Sequence, residues 1–344
     1  MNDIDWDSLT FSLTKTDWMY IAKCKLGDAW TPGKILPYGS FEIDPAAGVL
    51  NYGQGIFEGM KAHRTINDRV VIFRAEQNAR RFQSGADRLG MPPIPESIFL
   101  DAVEQVVAAN KKWVPTSGKG ALYIRPLLLG TGPIMGVAPA PEYTFLVFVT
   151  PVGPYFKGGL SCIDLIITDE YHRAAPGGSG GVKAIGNYAP GMMPSKNAKK
   201  KGFAEVIYLD AETHKYIEEV GAANFFCVKN DVLYTPELTG TILPGITRDS
   251  VIQLARSFGY KVIEEKVSAE FAMDADEAFC CGTAAVISPI GSIMHDGKKK
   301  TYSNGDIGPI TQKLYDSISG IHSEKVEDSF GWLHEVNLNL NLEK

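Results

Sequence analysis

Strand-like and helix-like patterns alternate on both sides of a proline-rich segment, Pro151-Val152-Gly153-Pro154, and this alternation constrains the fold most. Residues 69–73 form a β-branched run, and small or apolar residues then recur at spacings of four and three over 75–89, as on one helix face. The other strand-like runs lie at 121–129, 143–150, 163–168, 204–209, 225–228 and 232–234, and the other helix-like ones at 99–113, 246–258 and 310–319, the last before Gly320. Both halves mix strands and helices, which predicts an α/β (mixed α+β) chain.

The length of 344 residues is about twice a typical domain of roughly 150, which favours two domains. A polar, glycine-containing stretch follows the proline-rich segment and precedes the strand-like run at 163–168. The boundary is therefore expected there. We predict a smaller N-terminal domain over 1–156, a linker over 157–170 and a larger C-terminal domain over 171–344.

Charge and composition exclude several classes of protein. Lys plus Arg is 34 and Asp plus Glu is 40, a formal charge of −6 without a basic face, so nucleic acid is not an expected partner. The apolar run at 145–149 is far shorter than the about 20 residues that span a bilayer, so no membrane contact is expected. The acidic first residues lack a signal-peptide core, which predicts a cytoplasmic protein, with an organelle form whose transit peptide has been removed as the alternative. Five cysteines and six histidines lack metal-ligand spacing, so we expect reduced thiols and no metal site.

The densest local signal is the segment 177–188, which has four glycines in its first five positions. Backbone of this composition either turns tightly or lies close against another group. A nucleotide P-loop is excluded because Val182 and Ala184 flank Lys183, where that motif requires Gly-Lys-Ser/Thr. A lysine enclosed by small residues can lose its proton near neutral pH and form a Schiff base. The alternative is an exposed lysine on a flexible surface loop.

A second segment, 216–226, places two carboxylates before a small-residue stretch and a strand-like run. An inward-pointing carboxylate would need a cationic or protonated partner, because an isolated buried charge is costly. We expect Glu218 to lie at a solvated strand end. For Glu219 the sequence favours neither the buried nor the solvated interpretation.

Three further segments carry binding chemistry. Residues 239–248 lead into a helix whose first amides could bind phosphate, or Thr247 could simply be an N-cap. Residues 279–285 are either a hydroxyl-bearing site around Thr283 or a plain turn between buried elements. On a strand, Tyr123 and Arg125 point to the same face and could bind a carboxylate, although a core tyrosine with a surface arginine is the alternative.

These segments, together with residues 51–61, resemble in their order the branched-chain amino acid aminotransferases, which are class IV, fold-type IV enzymes that use pyridoxal 5′-phosphate. The resemblance runs from about Thr16 to Trp332 and is strongest to the plant-type branch at 47–55 and 218–220. It implies a two-domain fold with the cofactor at the domain interface. It also implies a homodimer.

The resemblance assigns roles residue by residue. Lys183 corresponds to the catalytic lysine that forms the Schiff base, Glu219 to the carboxylate facing the pyridine nitrogen, and Tyr188 to the phenol at the cofactor ring oxygen. The phosphate-binding positions are Arg74, Ile246, Thr247 and Thr283. The substrate positions are Tyr52, Phe57, Tyr123, Arg125, Ala284 and a closing residue, Tyr155, with Met135 and Val137 contributed to the neighbouring subunit.

The implied reaction is reversible amino transfer from L-leucine, L-isoleucine or L-valine to 2-oxoglutarate, giving branched-chain 2-oxo acids and L-glutamate. One alternative is a methionine or methionine-chain-elongation aminotransferase, and another is a non-catalytic relative that binds a phosphate ligand. The chain departs from the family in two features. Cys281 stands where relatives usually have Thr or Ser, and Ala285 and Ser288 replace a Cys-x-x-Cys pair of some mammalian relatives, so no thiol switch of that type is expected.

Overall fold

The computed structural model describes residues 4–156 and 158–339. Its strands are β1 (Trp18–Lys25), β2 (Lys34–Pro37), β3 (Gly55–Phe57), β4 (Met60–Arg64), β5 (Val70–Phe73), β6 (Ala121–Gly130), β7 (Glu142–Val152), β8 (Ile163–Thr168), β9 (Glu205–Leu209), β10 (Ile217–Val220), β11 (Ala223–Lys229), β12 (Val232–Thr235), β13 (Lys261–Glu264), β14 (Glu277–Gly282), β15 (Val286–His295), β16 (Lys298–Thr301) and β17 (Leu333–Glu335). Its α-helices are α1 (Gly48–Tyr52), α2 (Ala75–Arg88), α3 (Glu96–Ala109), α4 (Met192–Lys200), α5 (Ile246–Ser257), α6 (Ala269–Met273) and α7 (Pro309–His322). Short 3-10 turns lie at Trp6–Ser8, Lys111–Trp113, Ile185–Asn187, Ala189–Gly191 and Ser303–Gly305.

The described residues form two compact units. The first contains the residues up to Tyr155, the segment Val182–Ile185 and the residues from Gly320 onward, and the second contains the rest. Strand β8 belongs to the second unit, whereas the predicted linker 157–170 includes it. The residues after Gly320 lie in the first unit, not in the predicted 171–344 domain, because β17 pairs with β5.

The first unit is an antiparallel sheet with the strand order β17-β5-β4-β6-β7-β1-β2, and β3 pairs with β6. Helices α2 and α3 cover one face, where Leu122 and Ile124 of β6 join Phe82 and Phe99 in a buried core. Side chains alternate along a strand, so the residues between these core positions point to the other face. On β6 this second face carries Tyr123 and Arg125, and we call it the polar face of the sheet.

The second unit contains a sheet that closes on itself. The strands pair in the order β10-β9-β8-β15-β14-β11, and β11 pairs back to β10. Strand β8 is parallel to β9 and to β15, while the other pairs of this ring are antiparallel. Strands β12 and β13 extend the sheet beyond β11, and β16 pairs with β15. Apolar side chains such as Leu165, Ile207 and Phe225 form the core of this unit.

The mixed α/β prediction is confirmed. The sequence patterns did not indicate β1–β4, β10, β13–β17, α1, α4 and α6, and two predicted helix ends differ. Helix α7 continues through Gly320, where the sequence predicts that it ends, and a Cβ there would lie 2.5 Å from the Val326 Cγ2. This glycine therefore allows close packing instead of ending the helix. Helix α3 ends at Ala109, before the predicted 113, and the Asn110 side chain accepts from the backbone amides of Asp17 and Trp18. None of the described helices is both long and apolar enough to cross a bilayer.

Candidate active site

Lys183 lies in the segment Val182–Ile185, which runs beside β3 in the first unit. The Phe57 backbone N–H donates to the Lys183 carbonyl oxygen at 3.1 Å, and Ala184 bridges Ile56. The Lys183 Nζ lies 4.6 Å from the centroid of the Phe57 ring. The lysine is half-buried and held by the backbone of β3, so the alternative of a fully exposed lysine is wrong.

The glycines before this lysine lie where a side chain would not fit. A Cβ on Gly180 would be 2.2 Å from the Thr241 carbonyl oxygen, and one on Gly181 would be 2.8 Å from the Gly240 carbonyl oxygen. Gly177 has a φ of +75°, which favours glycine. The segment both turns and lies close against other backbone, as its composition predicts.

The polar face of the first sheet carries an arginine and a tyrosine beside an aromatic wall. The Arg125 Nη2 donates to the Tyr123 Oη at 3.1 Å, and its Cζ lies 4.7 Å from the centroid of the Phe57 ring. The Arg125 Nε is buried and has no hydrogen-bond partner among the described residues. Tyr123 is buried, as the alternative of a core tyrosine predicts, but Arg125 is half-buried and paired with its hydroxyl, so the surface arginine of that alternative is wrong.

A buried ion pair that sequence reasoning missed lies next to Phe57. Glu58 is fully buried and accepts from the Arg81 Nε at 2.7 Å, from the Arg81 Nη2 at 2.8 Å and from the Asn78 Nδ2 at 2.7 Å. Burial raises the pKa of Glu58, but Arg81, the nearby Lys183 and Asn78 outweigh it, and the net pKa is lowered. Glu58 directly follows Phe57, whose N–H donates to the Lys183 carbonyl oxygen, so this ion pair fixes the backbone beside Lys183. Glu58 and Arg81 are 23 residues apart in the chain, so no local sequence pattern indicates that they pair.

Arg74 precedes α2 in a backbone conformation that is unusual for a residue with a side chain. Its φ of 51° and ψ of 44° are left-handed. Its N–H donates to the Trp332 carbonyl oxygen at 2.7 Å, and its Cζ lies 5.3 Å from the centroid of the Trp332 ring. Residues that the surrounding structure keeps in such rare backbone conformations are common at functional sites.

The remaining predicted positions of the first unit lie on exposed segments. The Tyr52 hydroxyl donates to the Met135 carbonyl oxygen, which joins α1 to the loop after β6. Met135 and Val137 are 81% and 89% exposed, and Tyr155 is 54% exposed. Neighbouring apolar side chains that are exposed to this degree are typical of a surface that another chain covers.

In the second unit Glu219 is buried and has the cationic partner that its burial requires. The Arg173 Nε lies 2.7 Å from the Glu219 Oε2, and the Leu243 N–H donates to the Oε1 at 2.7 Å. The Asn224 Nδ2 donates to the same Oε1 at 3.3 Å. The buried interpretation of Glu219 is therefore correct. Arg173 and Asn224 were missed, since nothing in their local sequence marks them.

Glu218 is also buried, so the predicted solvated strand end is wrong. The register between β10 and β9 shifts between Ile217 and Glu219, which marks a bulge at Glu218. A bulge re-aims a side chain, and here the Thr241 hydroxyl donates to the Glu218 Oε1. Burial raises the pKa of Glu218.

The start of α5 and the turn after β14 provide the other predicted positions of this unit. Helix α5 begins at Ile246 without a side-chain cap, so its first amides, including that of Thr247, have no N-cap side chain as acceptor and are of the kind that binds anions. A Cβ on Gly245 would lie 1.9 Å from the Asn224 Oδ1, so only glycine fits there. Thr283 and Ala284 lie in the turn between β14 and β15.

Tyr188 precedes the 3-10 turn Ala189–Gly191. Together with Arg173 it lines a cavity of about 310 Å³ within the second unit. The partner of Glu219 and the predicted phenol therefore both line this cavity.

Comparisons with known proteins show the family of the chain. Residues 55–293 match the family described as Amino-transferase class IV. The chain belongs to this family.

Among relatives of this class IV aminotransferase, the chloroplastic branched-chain-amino-acid aminotransferase 5 of Arabidopsis thaliana is 50% identical over 97% of this chain and 81% of that protein. The chloroplastic branched-chain amino acid aminotransferase 2 of Humulus lupulus is 49% identical over 97% of this chain and 82% of that protein. The solved branched-chain amino acid aminotransferase of Escherichia coli has a TM-score of 0.80 at 30% identity and covers 94% of this chain and 100% of its own.

Class IV aminotransferases use pyridoxal phosphate, and the chain is a pyridoxal-phosphate-dependent aminotransferase. Its residues fit this cofactor chemically. Lys183 provides a half-buried amine, and Glu219 a buried carboxylate with its oxygens held in place. The uncapped start of α5, with Gly245 packed against Asn224, provides amides for a phosphate.

Proposed function

We propose that this aminotransferase transfers the amino group of L-leucine, L-isoleucine and L-valine to 2-oxoglutarate, and that the reaction is reversible. The products are branched-chain 2-oxo acids and L-glutamate. The names of the relatives at about half identity over nearly the whole chain support this assignment.

The observation that carries the proposal is the pairing of Arg125 with Tyr123 beside the Phe57 ring. An aromatic wall accepts a branched apolar side chain, and an arginine with a free Nε accepts the second carboxylate of 2-oxoglutarate in a bidentate manner. Because one methylene is worth only about 1–3 kcal/mol in an apolar pocket, all three branched-chain substrates are accepted.

The residues of the chain have separate tasks toward the cofactor. Pyridoxal phosphate supplies an electron sink when the Cα proton leaves. Lys183 would hold the cofactor through its amine and would accept and return the proton at the substrate Cα. Glu219, paired with Arg173, would face the pyridine nitrogen and favour its protonated form. Tyr188 would donate a hydrogen bond to the ring oxygen. Arg74, the amides of Ile246 and Thr247 and the Thr283 hydroxyl would hold the phosphate.

The active enzyme is proposed to be a homodimer. Met135 and Val137 would enter the substrate pocket of the neighbouring subunit, and Tyr52 supports their loop through the Met135 carbonyl oxygen. Tyr155 closes over the substrate, and Ala284 lies near its carboxylate. The exposure of the two apolar loop residues supports this assembly.

Two locations are proposed for the protein. The cytoplasm is the predicted one, and the interior of an organelle is supported by the chloroplastic relatives. Fractionation of cells that produce the full-length protein, followed by immunoblotting of each fraction, distinguishes them.

A second candidate function is amino transfer from methionine. A methionine aminotransferase of Arabidopsis thaliana is 48% identical over 97% of this chain and 94% of that protein. Methionine differs from leucine mainly in length, so the same aromatic wall would accept it.

The test is a panel of amino donors with the purified holoenzyme and 2-oxoglutarate. Higher kcat/KM for leucine, isoleucine and valine than for methionine supports the main proposal, and the reverse order supports the second candidate. The Lys183→Ala variant should lack both the activity and the visible absorption band that borohydride abolishes. Retained transamination in this variant would contradict the proposal, and absence of the band in the parent protein would favour a non-catalytic relative.

A further inference from the structure

The second unit contains another cavity, of about 260 Å³, which none of the proposed cofactor or substrate residues lines. Its charged and hydroxyl-bearing walls include Glu218, Thr241, Asp210, Glu212, Glu237 and Lys266. Its volume lies just below the about 300 Å³ at which pockets for drug-sized ligands begin, so its ligand would be small.

Glu218 gives this cavity a polar group that lacks a protein partner. The residue is only 6% exposed, and its Oε1 accepts from Thr241. The Oε2 is buried and has no hydrogen-bond partner in the part of the chain that the structure describes. An unsatisfied carboxylate oxygen in such a place is costly, and a ligand that donates to it would remove the cost.

The walls favour an organic ligand over a metal ion. Among the described residues, the only group of three potential metal ligands whose donor atoms converge is Asp169, His295 and Asp296, which does not line this cavity. The cavity wall also holds a cation, because the Lys266 Nζ lies 5.4 Å from the ring centroid of Tyr216, which is another lining residue. A ligand that carries both an ammonium and a carboxylate matches Glu218 and Lys266 together.

We propose that this cavity is a second, non-catalytic site for a free L-α-amino acid, whose ammonium donates to the Glu218 Oε2 and whose carboxylate pairs with Lys266. The ligand binds without chemical change. None of the proposed substrate residues lines this site.

The hydrogen bonds around Thr241 connect this site to Glu219. The Thr241 hydroxyl donates to Glu218, and the Thr241 carbonyl oxygen accepts from the Arg173 Nη1 at 2.8 Å. The same guanidinium pairs with Glu219 through its Nε at 2.7 Å. A ligand that binds Glu218 therefore affects Glu219 through Thr241 and Arg173. This step rests on the proposed function of Glu219, which is to face the pyridine nitrogen of the cofactor.

The binding experiment uses holoenzyme reduced with borohydride, in which Lys183 is blocked and no amino transfer occurs. L-Leucine is titrated into it by calorimetry, with 4-methylpentanoate and 3-methylbutylamine as matched probes that lack the ammonium or the carboxylate. We expect one leucine per chain, and at least about tenfold weaker binding of either probe, the equivalent of about 1.4 kcal/mol. Failure of leucine to bind would overturn the proposal without affecting the proposed transamination, which is measured on unreduced enzyme.

Variants locate the bound leucine. Glu218→Gln and the exposed Lys266→Met should each weaken binding at least about tenfold, equivalent to about 1.4 kcal/mol. The exposed Glu270→Gln serves as the control and should bind normally. Binding that is lost in Arg125→Met but kept in Glu218→Gln and Lys266→Met would place the leucine in the substrate pocket and overturn the proposal.

A separate absorption measurement tests the connection between the bound leucine and Glu219. In the reduced holoenzyme, leucine should shift the near-ultraviolet absorption of the cofactor ring. Thr241→Val removes the hydroxyl but keeps the carbonyl oxygen that Arg173 uses, so this variant should bind leucine without the shift. A shift that persists in Thr241→Val would disprove the connection through Thr241.

Discussion

The Arg173 Nε and the Glu219 Oε2 lie 2.7 Å apart, and the two side chains are only 7% and 2% exposed. Both charges have lost most of their water, so each depends on the other. Breaking such a pair from one side leaves an uncompensated buried charge. Each side chain therefore compensates a charge that would otherwise be buried without a partner.

Replacing Arg173 with methionine should lower the free energy of unfolding by about 3–5 kcal/mol and weaken the binding of pyridoxal phosphate. Urea unfolding and a spectroscopic cofactor titration measure the two effects. Arg256→Met is the matched control, because Arg256 pairs with Glu264 at 3.2 Å but is 53% exposed. Its expected cost is below about 1 kcal/mol. Equal costs for the two variants would show that the burial of the Arg173 pair is unimportant.

Adding a methyl group at Gly59 should displace the Tyr123 phenol, because a Cβ at Gly59 would lie 2.1 Å from the Tyr123 Oη. That phenol is paired with Arg125, the proposed partner of the 2-oxoglutarate carboxylate. We expect Gly59→Ala to lower kcat/KM for 2-oxoglutarate by about 100-fold, as misplacements near 1 Å do. In the control, Gly39→Ala, the nearest atom to the new methyl group is 4.0 Å away, so steady-state kinetics should not change.

The stability of the protein should fall in mild acid because of His322. This ring is stacked on His63 at 4.7 Å, and burial lowers its pKa to about 3, with Lys61 acting in the same direction. Burial also lowers the pKa of His63. The unfolded chain binds a proton at His322 below its ordinary pKa of about 6.5, and the folded chain does not. The contribution of His322 is thus complete above about pH 6.5 and is lost as the pH falls toward 3.

Replacing His322 with phenylalanine should remove this part of the acid sensitivity. Between pH 7 and pH 5 the loss of unfolding free energy should be smaller in His322→Phe than in the parent protein by about 2 kcal/mol. Urea unfolding at the two pH values measures it. His214→Phe changes an exposed histidine and should lose as much as the parent protein. Identical pH dependence in all three proteins would contradict the prediction.

Subunit mixing should reveal whether the loop with Val137 enters the neighbouring pocket. Lys183→Ala lacks the proposed catalytic amine, and Val137→Asp places a charge in the proposed apolar pocket, so each homodimer should transaminate poorly. A hybrid dimer contains one site with an intact lysine and an intact loop. Co-expression of the two variants with different affinity tags should restore up to about half of the parent activity per dimer, since one of the two sites is intact. A hybrid as inactive as its parents would rule out the exchange of loops.

Local sequence patterns predicted the four longest helices, seven of the described strands and several side-chain orientations. Period-two alternation on β6 placed Tyr123 and Arg125 on one face, and the structure confirms their contact. The glycine content at 177–181 predicted close backbone approach, which Gly180 shows against Thr241. These features depend on residues that are near in sequence, where side-chain spacing and allowed backbone angles decide the outcome.

What the sequence by itself determined was therefore the class of fold, the positions of the four longest helices and of seven strands and, through the order of its motifs, the family. Only the tertiary structure decided which charges are paired: Arg173 with Glu219, and Glu58 with Arg81 and Asn78. It also turned Glu218 inward through a bulge in the pairing of β10 with β9. The physical reason is that a buried charge takes whichever partner the packing of distant elements brings within about 3 Å, and no periodicity along the chain encodes that meeting.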